Sequence, residues 1–281
     1  MAPLFLFVNA GAPQRIQPAV EELVAVARAY EALHVPALFR QWTGPVLDVG
    51  RVGSGDHVLD LACGTGVLAR AARRRVGGNG FVAGVDLDPG MLAVAGELAP
   101  TIDWRLGSAE FIPWPDASFD AVLSQFGMMF FLDVQQALGE MLRVARCRGR
   151  IVVAVWDRLE NAPAYSIEAA VLLKHAGPKA AEALKAPFAL GDPGQVCRSF
   201  EEAGIGEIAC ETLIGKVEFP SIRTQLEADL RGWLPVMDVV LPEPTIRRVI
   251  EACERSLGDF ELGDGRVAFE MPAHIISGVK P

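Results

Sequence analysis

Val58-Leu59-Asp60-Leu61-Ala62-Cys63-Gly64-Thr65-Gly66-Val67-Leu68-Ala69 is the stretch whose reading decides the fold. It opens as a buried strand, tightens into a glycine turn and continues as the first turn of a helix. Strand, turn and helix in that order form the first half of a βαβ unit. Gly64 and Gly66 allow backbone conformations, and a close approach by a ligand, that a Cβ would block.

Downstream, short apolar runs at residues 58–62, 81–86, 102–106, 119–126 and 151–156 read as strands. Helical patterns fill the gaps at 66–75, 89–99 and 133–145. Five β units with crossover helices predict a Rossmann-like doubly wound α/β sheet with its ligand site beyond the carboxyl ends of the strands. Past Trp156 the periodicity is helical through 164–185, and Asp192-Pro193 starts another helix ending near Gly204. Two β-like stretches, 205–219 and 266–279, enclose helical segments between Ser221 and Leu257. They predict a seven-stranded, mostly parallel sheet whose last strand is antiparallel, with the inserted helices as a lid. Upstream, residues 13–42 predict one or two helices with the stripe Val20, Leu23, Val24 and Ala27. The expected organisation is a lid segment at 1–50, a nucleotide-type core at 51–156, and closing strands with a helical insertion at 157–281.

Asp86 ends the second strand, where a carboxylate accepts hydrogen bonds from two ribose hydroxyls, and Asp88 is the better cap for the following helix. A nicotinamide dinucleotide also fits these features, because residues 64–69 satisfy G-x-G-x-x-A. Asp60 separates the two cases. A carboxylate at the tip of the first strand repels a pyrophosphate by roughly a few kcal/mol at short range, but it attracts a cationic sulfonium and an ammonium group.

Residues 58–69, Gly84-Val85-Asp86-Leu87-Asp88-Pro89-Gly90-Met91 and Phe119-Asp120-Ala121-Val122 resemble the motifs of class I S-adenosylmethionine-dependent methyltransferases. The subgroup resembled is the ubiquinone/menaquinone-biosynthesis type and its small-molecule relatives, over about residues 55–156. The resemblance implies that Asp60 lies near the methionine amino group, with backbone contacts from Ala62, Cys63, Gly64 and Gly66. It also implies that Asp86 holds the ribose and that Leu87 and Met91 flank the adenine. The family's usual acidic partner of the adenine amino group is replaced by Ser108, leaving the backbone N–H of Ala109, with Glu110 expected as a loop residue facing water. Residues 146–150 lack the family's proline, so with Cys147 in its place a looser loop is expected there.

Methyl transfer displaces the donor sulfur directly, so alignment and exclusion of water matter more than a nucleophile. A base is needed only if the acceptor loses a proton. Residues 124–131 are expected to face the methyl donor, with Gln125 and Phe126 beside the cofactor and an aromatic and thioether content that suits an apolar acceptor; the alternative for 128–131 is the start of a buried helix. Candidate lid residues are Tyr30, His34, Phe39, Arg40, Trp42, Trp156 and Tyr165. Of these, Tyr30, Phe39 and Trp42 are expected at the substrate together with Met129, and His34 is the candidate base. No metal is expected, since Asp133 reads as a helix cap.

The apolar content of 51% is high, yet no apolar run approaches the ~20 residues of a membrane span. The apolar start, residues 1–10, has no basic residue ahead of it and argues against a secretory signal. Thirty-five acidic against 26 basic residues give a net charge of -9, which disfavours nucleic acid. The cluster Arg70, Arg73, Arg74 and Arg75 reads as a solvated helix end. Five cysteines without C-x-x-C spacing suggest a reducing, cytoplasmic setting, with buried thiols at all positions but Cys63. The function expected is transfer of a methyl group from S-adenosylmethionine to a small apolar or aromatic acceptor, leaving S-adenosylhomocysteine. The alternatives are a non-catalytic S-adenosylmethionine-binding protein and an NAD-dependent oxidoreductase. The oligomeric state is not set by the sequence.

Overall fold

β1 (His57–Leu61) is buried along nearly its whole length, as its apolar run requires of a central parallel strand. In the computed structural model, which describes residues 20–281, it pairs in parallel with β2 (Phe81–Asp86) and with β4 (Phe119–Gln125). The apolar start at 1–10 and the part of the expected helical segment at 13–19 lie outside the described residues. β3 (Asp103–Leu106) and β5 (Ala145–Trp156) extend the parallel sheet on either side. β7 (Val267–Val279) runs antiparallel between β5 and β6 (Gly206–Phe219), giving the order β3-β2-β1-β4-β5-β7-β6. The seven-stranded sheet with an antiparallel last strand is therefore as the sequence predicts. Strand order reverses between β1 and β4, so the loops leaving their ends diverge and open a crevice.

Two apolar layers cover the sheet. On one face lie α2 (Thr43–Val49) and α3 (Val67–Val76), through Val46, Leu47, Leu68 and Ala72. On the other lie α5 (Val134–Val144) and α8 (Pro193–Glu202), through Leu138, Met141, Val196 and Phe200. α4 (Pro89–Leu98) crosses from β2 to β3, and its first amides are taken by Asp88, which accepts from Gly90 N at 2.7 Å and Met91 N at 3.3 Å. Asp133 caps α5 through Gln136 N at 3.0 Å, the role expected of it.

A second set of helices stands over the carboxyl ends of the strands. α1 (Val20–His34) leads into a π-helical turn at Val35–Phe39. α6 (Pro163–His175) and α7 (Pro178–Lys185) follow β5. α9 (Ile222–Ala228), a second π-turn at Asp229–Trp233, the short α10 (Leu234–Val236) and α11 (Glu243–Ser256) connect β6 to β7. α1 settles on α4 at Gly90, where a Cβ would come within 2.5 Å of the Leu23 backbone. Only glycine permits that crossing.

Three local expectations are corrected. Residues 128–131 begin no helix: Met128–Phe130 make a single 3-10 turn, and the chain is extended again at Phe131. The helical run 164–185 is two helices, because Gly177 at φ +89 and Pro178 stop the first and start the second. Residues 146–150 are not a loose loop but the beginning of β5. There Arg146 pairs with Asp120 at 2.7 Å, Arg148 with Glu207 at 2.6 Å and Arg150 with Asp56 at 2.6 Å, supplying the order that a proline would have given. The cysteines also depart from the expected burial. Cys253 is buried, but Cys147 at the exposed start of β5 and Cys210 on the edge strand β6 face out, and Cys197 is half-buried. Among the described residues no helix is long and apolar enough to cross a membrane.

Candidate functional site

The loop after β1 is shaped by steric needs that differ at each position. Gly64, at φ +53, lines the crevice, and a Cβ there would meet only the Tyr30 ring at 3.8 Å. Gly66, at φ +81, does not line it: a Cβ would lie 2.3 Å from Trp104, whose indole also occupies the space a side chain at Gly84 would need. The second glycine of the motif thus makes room for a tryptophan under the helix start. Ala62 at φ +55 and Phe126 at φ +58 end β1 and β4 in the left-handed region, which costs a residue with a Cβ of order 1–3 kcal/mol. Both line the crevice. Backbone strain at two adjacent strand ends has no signature in residue type, so the sequence could not reveal it.

Asp86 lies at the crossing of the two loops. Its Oδ2 accepts from Gly64 N at 2.7 Å and its Oδ1 from Asp88 N at 2.9 Å, and it faces the crevice. Burial raises its pKa to about 6, against the pull of those two amides. Asp60 is placed otherwise than the sequence suggests. Its Oδ2 accepts from Ala69 N at 2.9 Å, so it caps α3, and it does not line the crevice. Burial pushes its carboxyl up to about 8, with the Ala69 amide opposing and Asp86 adding.

Of the other expected cofactor residues, Leu87, Met91 and Ala109 line the same crevice, whereas Cys63, Ser108 and Gln125 do not. Gln125 turns its Nε2 to the Phe39 carbonyl at 3.1 Å, fastening the lid turn to β4. Glu110, expected to face water, is 7% exposed and accepts from Leu132 N at 2.8 Å and Asp133 N at 3.3 Å, so it orders the wall formed by residues 130–132.

The far wall is aromatic. Tyr30, Phe39, Phe126 and Trp156 form a connected set, with Phe126 and Trp156 stacked at 3.7 Å and 9°, and Phe130, Trp233, Tyr165 and Phe188 continue it. Tyr30 and Phe39 are cavity residues as expected. Trp42 and Met129 are not: Trp42 is 2% exposed, packed edge-on to Phe126 and Trp156, and its indole fills the space beside Gly215. Arg40 faces away, exposed. His34 and Asp229 meet on the cavity wall at 3.2 Å. His57 bonds Arg146 at the other end of β1, and His274 is held between Thr212 and Asp157.

The lid helix is tied to the glycine loop by polar contacts that sequence reading missed. Arg70 Nη2 bonds Glu31 Oε1 at 2.7 Å and Arg70 Nη1 bonds the Thr65 carbonyl at 2.6 Å, while Thr65 Oγ1 donates to Glu31 Oε2 at 2.5 Å. One arginine of the supposedly solvated cluster is therefore a latch.

A doubly wound sheet with a carboxylate at the tip of β2 and a glycine loop after β1 defines a nucleotide-type binding crevice. Residues 59–153 match the family described as methyltransferase domain. The ubiquinone/menaquinone biosynthesis C-methyltransferase UbiE of Ralstonia pickettii is 36% identical over 171 residues, 56% of this chain and 68% of that protein. Its counterpart in Xanthomonas oryzae pv. oryzae is 34% identical over 155 residues, and there the match takes in 52% of this chain and only 61% of the relative. A Haemonchus contortus phosphoethanolamine N-methyltransferase, solved with phosphomonomethylethanolamine and S-adenosylhomocysteine, shares the fold at a TM-score of 0.58 and 16% identity, over 96% of this chain and 62% of that one. The chain belongs to the class I S-adenosylmethionine-dependent methyltransferase family.

Proposed function

We propose that this protein transfers a methyl group from S-adenosylmethionine to a small apolar or aromatic acceptor by direct displacement. The observation that carries this reading is one continuous crevice whose near wall holds Gly64, Asp86, Leu87 and Met91 and whose far wall is aromatic. When bound, S-adenosylmethionine supplies a methyl carbon already activated by its sulfonium. Asp86 accepts from the ribose hydroxyls while it keeps the loops after β1 and β2 together. Leu87 and Met91 cover the adenine, and Ala109 offers its backbone N–H.

The aromatic far wall and the latched α1 exclude water, which leaves the acceptor no competitor for the methyl carbon. The net charge of -9 suits a small-molecule acceptor better than a nucleic acid. The five free cysteines go with a reducing, cytoplasmic setting. Calorimetry with S-adenosylhomocysteine tests the site: Asp86→Ala should weaken binding at least about tenfold, the loss of a charge-assisted contact. An unchanged affinity removes Asp86 from the site, and binding of NAD with none of S-adenosylhomocysteine would end the methyltransferase reading.

A further inference from the structure

The lid contains a polar cluster that cofactor binding does not use. His34 closes α1 just before one π-turn, and Asp229 opens the other. These turns widen the helix locally and are frequent at functional sites. His34 Nε2 lies 3.2 Å from Asp229 Oδ1, with the two side chains 8% and 4% exposed. Opposite a carboxylate, Nε2 carries the proton, so Nδ1 presents its lone pair. That Nδ1 is buried and has no partner among the described residues. Behind the pair, Glu168 on α6 is fully buried, accepts from Gln225 Nε2 at 3.3 Å and reaches Asp229. Glu168 Oε1 and Asp229 Oδ2 are both unpartnered, and one proton held between them satisfies both. Burial raises both carboxyls, Glu168 well above its ordinary value, while the bond to His34 opposes the rise at Asp229, which leaves Asp229 the more acidic partner.

A buried imidazole nitrogen with no partner in a largely aromatic wall needs an explanation, because an unmet polar group there costs about 1–3 kcal/mol. Tyr30 stacks on His34 with ring centres 5.6 Å apart and reaches Gly64, so the imidazole stands one helical turn from the glycine loop and faces the acceptor half of the crevice.

We propose that His34 is the general base of the reaction, oriented by Asp229 and backed by Glu168, and that the acceptor is therefore protic: a phenol, hydroquinone or enol whose hydroxyl bonds to His34 Nδ1. The inference rests on the methyltransferase reading above. As the acceptor oxygen or its conjugated carbon attacks the methyl carbon, the carbon–sulfur bond breaks and its electron pair stays on sulfur. The acceptor proton passes to His34 Nδ1. The Asp229 carboxylate stabilises the imidazolium until the proton leaves to solvent. His34 touches the acceptor and is catalytic in this scheme; Asp229 and Glu168 are positioning residues.

The test compares three acceptors in single-turnover and steady-state assays at mildly alkaline pH: 4-propylphenol, 4-nitrophenol, which is largely ionised there, and N,N-dimethylaniline, which has no proton to lose. His34→Gln should slow methylation of 4-propylphenol about a hundredfold or more, the usual weight of a general base, and affect 4-nitrophenol far less. Asp229→Asn should lower kcat for 4-propylphenol at least about tenfold with little change in KM, because the wrong imidazole tautomer is then held. A readout without turnover is the absorbance of 4-nitrophenol bound in the presence of S-adenosylhomocysteine. At one fixed pH the phenolate fraction should fall in His34→Gln. Equal slowing of both phenols, no slowing of either, or methylation of dimethylaniline alone overturns the proposal, as does wild-type transfer to none of the three. Retained S-adenosylhomocysteine binding in His34→Gln shows that the variant is folded, and it separates failure of this inference from failure of the methyltransferase reading, in which wild type itself would not bind S-adenosylhomocysteine.

Discussion

The two walls of the crevice are built by different means. The near wall is backbone: loop ends of parallel strands, two left-handed residues and amides gathered on Asp86. Its side chains come from a few neighbouring segments of the chain. The far wall is side chain: the rings of Phe126 and Trp156 at the ends of β4 and β5, joined by rings and a buried acid–base cluster from α1, α6 and the helices between β6 and β7, positions separated by up to 195 residues. Binding a common cofactor calls for fixed backbone donors, which a sheet edge provides. Selecting an acceptor calls for shape, which packed helices provide and can vary without disturbing the sheet.

Removing the indole in Trp42→Ala would sharpen this contrast most. As a core residue bridging the lid turn to Phe126 and Trp156, it should cost about 3–5 kcal/mol of stability. A denaturant midpoint near wild type, with only acceptor affinity changed, would return Trp42 to the substrate wall. Gly66→Ala comes next: its Cβ meets Trp104 in a left-handed backbone, so a loss of about 2–4 kcal/mol is expected, seen as a lower Tm. The double variant Gly66→Ala/Trp104→Ala should recover none of the backbone part but relieve the clash. If Gly66→Ala instead leaves Tm intact and abolishes cofactor binding, the motif's second glycine serves the ligand after all.

Smaller in effect is the pH dependence set by the buried carboxyls of β1 and β2. Asp60 and Asp86 titrate near 3.8 when unfolded but at about 8 and about 6 in the fold. Below about pH 4 both states hold these protons; above it the folded state keeps them, Asp86 to about pH 6 and Asp60 to about pH 8, so folding takes up protons and stability falls from about pH 4, less steeply past 6, and levels off above about 8. Asp60→Asn keeps an acceptor for the Ala69 amide and should flatten the fall between Asp86's range and about pH 8, measured by denaturant midpoints. An unchanged slope would show that Asp60 is not held protonated. Least of all, Arg70→Ala should loosen the latch on α1 and speed release of S-adenosylhomocysteine by at most about fivefold in stopped flow, since a partly exposed ion pair is worth up to ~1 kcal/mol. No change would mean that α1 is held by the Gly90 seat alone.

Much of the near wall was legible beforehand. Asp86, Gly64, Leu87, Met91 and Ala109 line the crevice, and they were found because strand, turn and carboxylate follow one another at short spacing. Asp60 and Gly66 were assigned to the ligand, yet the fold turns one to a helix amide and the other to an indole. Residue type tells what a position can do, while the direction of a side chain depends on neighbours such as Trp104. On the far wall, His34 and Tyr30 could be named but not explained. Asp229 and Glu168, which give His34 its setting, carry no motif: one opens a π-turn and the other lies on α6, whose apolar residues mark no distinct face.

The sequence by itself determined the strands of the sheet, its doubly wound class and the position of the binding crevice, because alternation of apolar runs and the chemistry of a glycine turn are local properties. Only the tertiary structure decided what covers that crevice. Contacts among α1, α6 and the segment 222–233 depend on helix crossings such as the one at Gly90, and those are fixed by complementary shape between surfaces far apart in the chain.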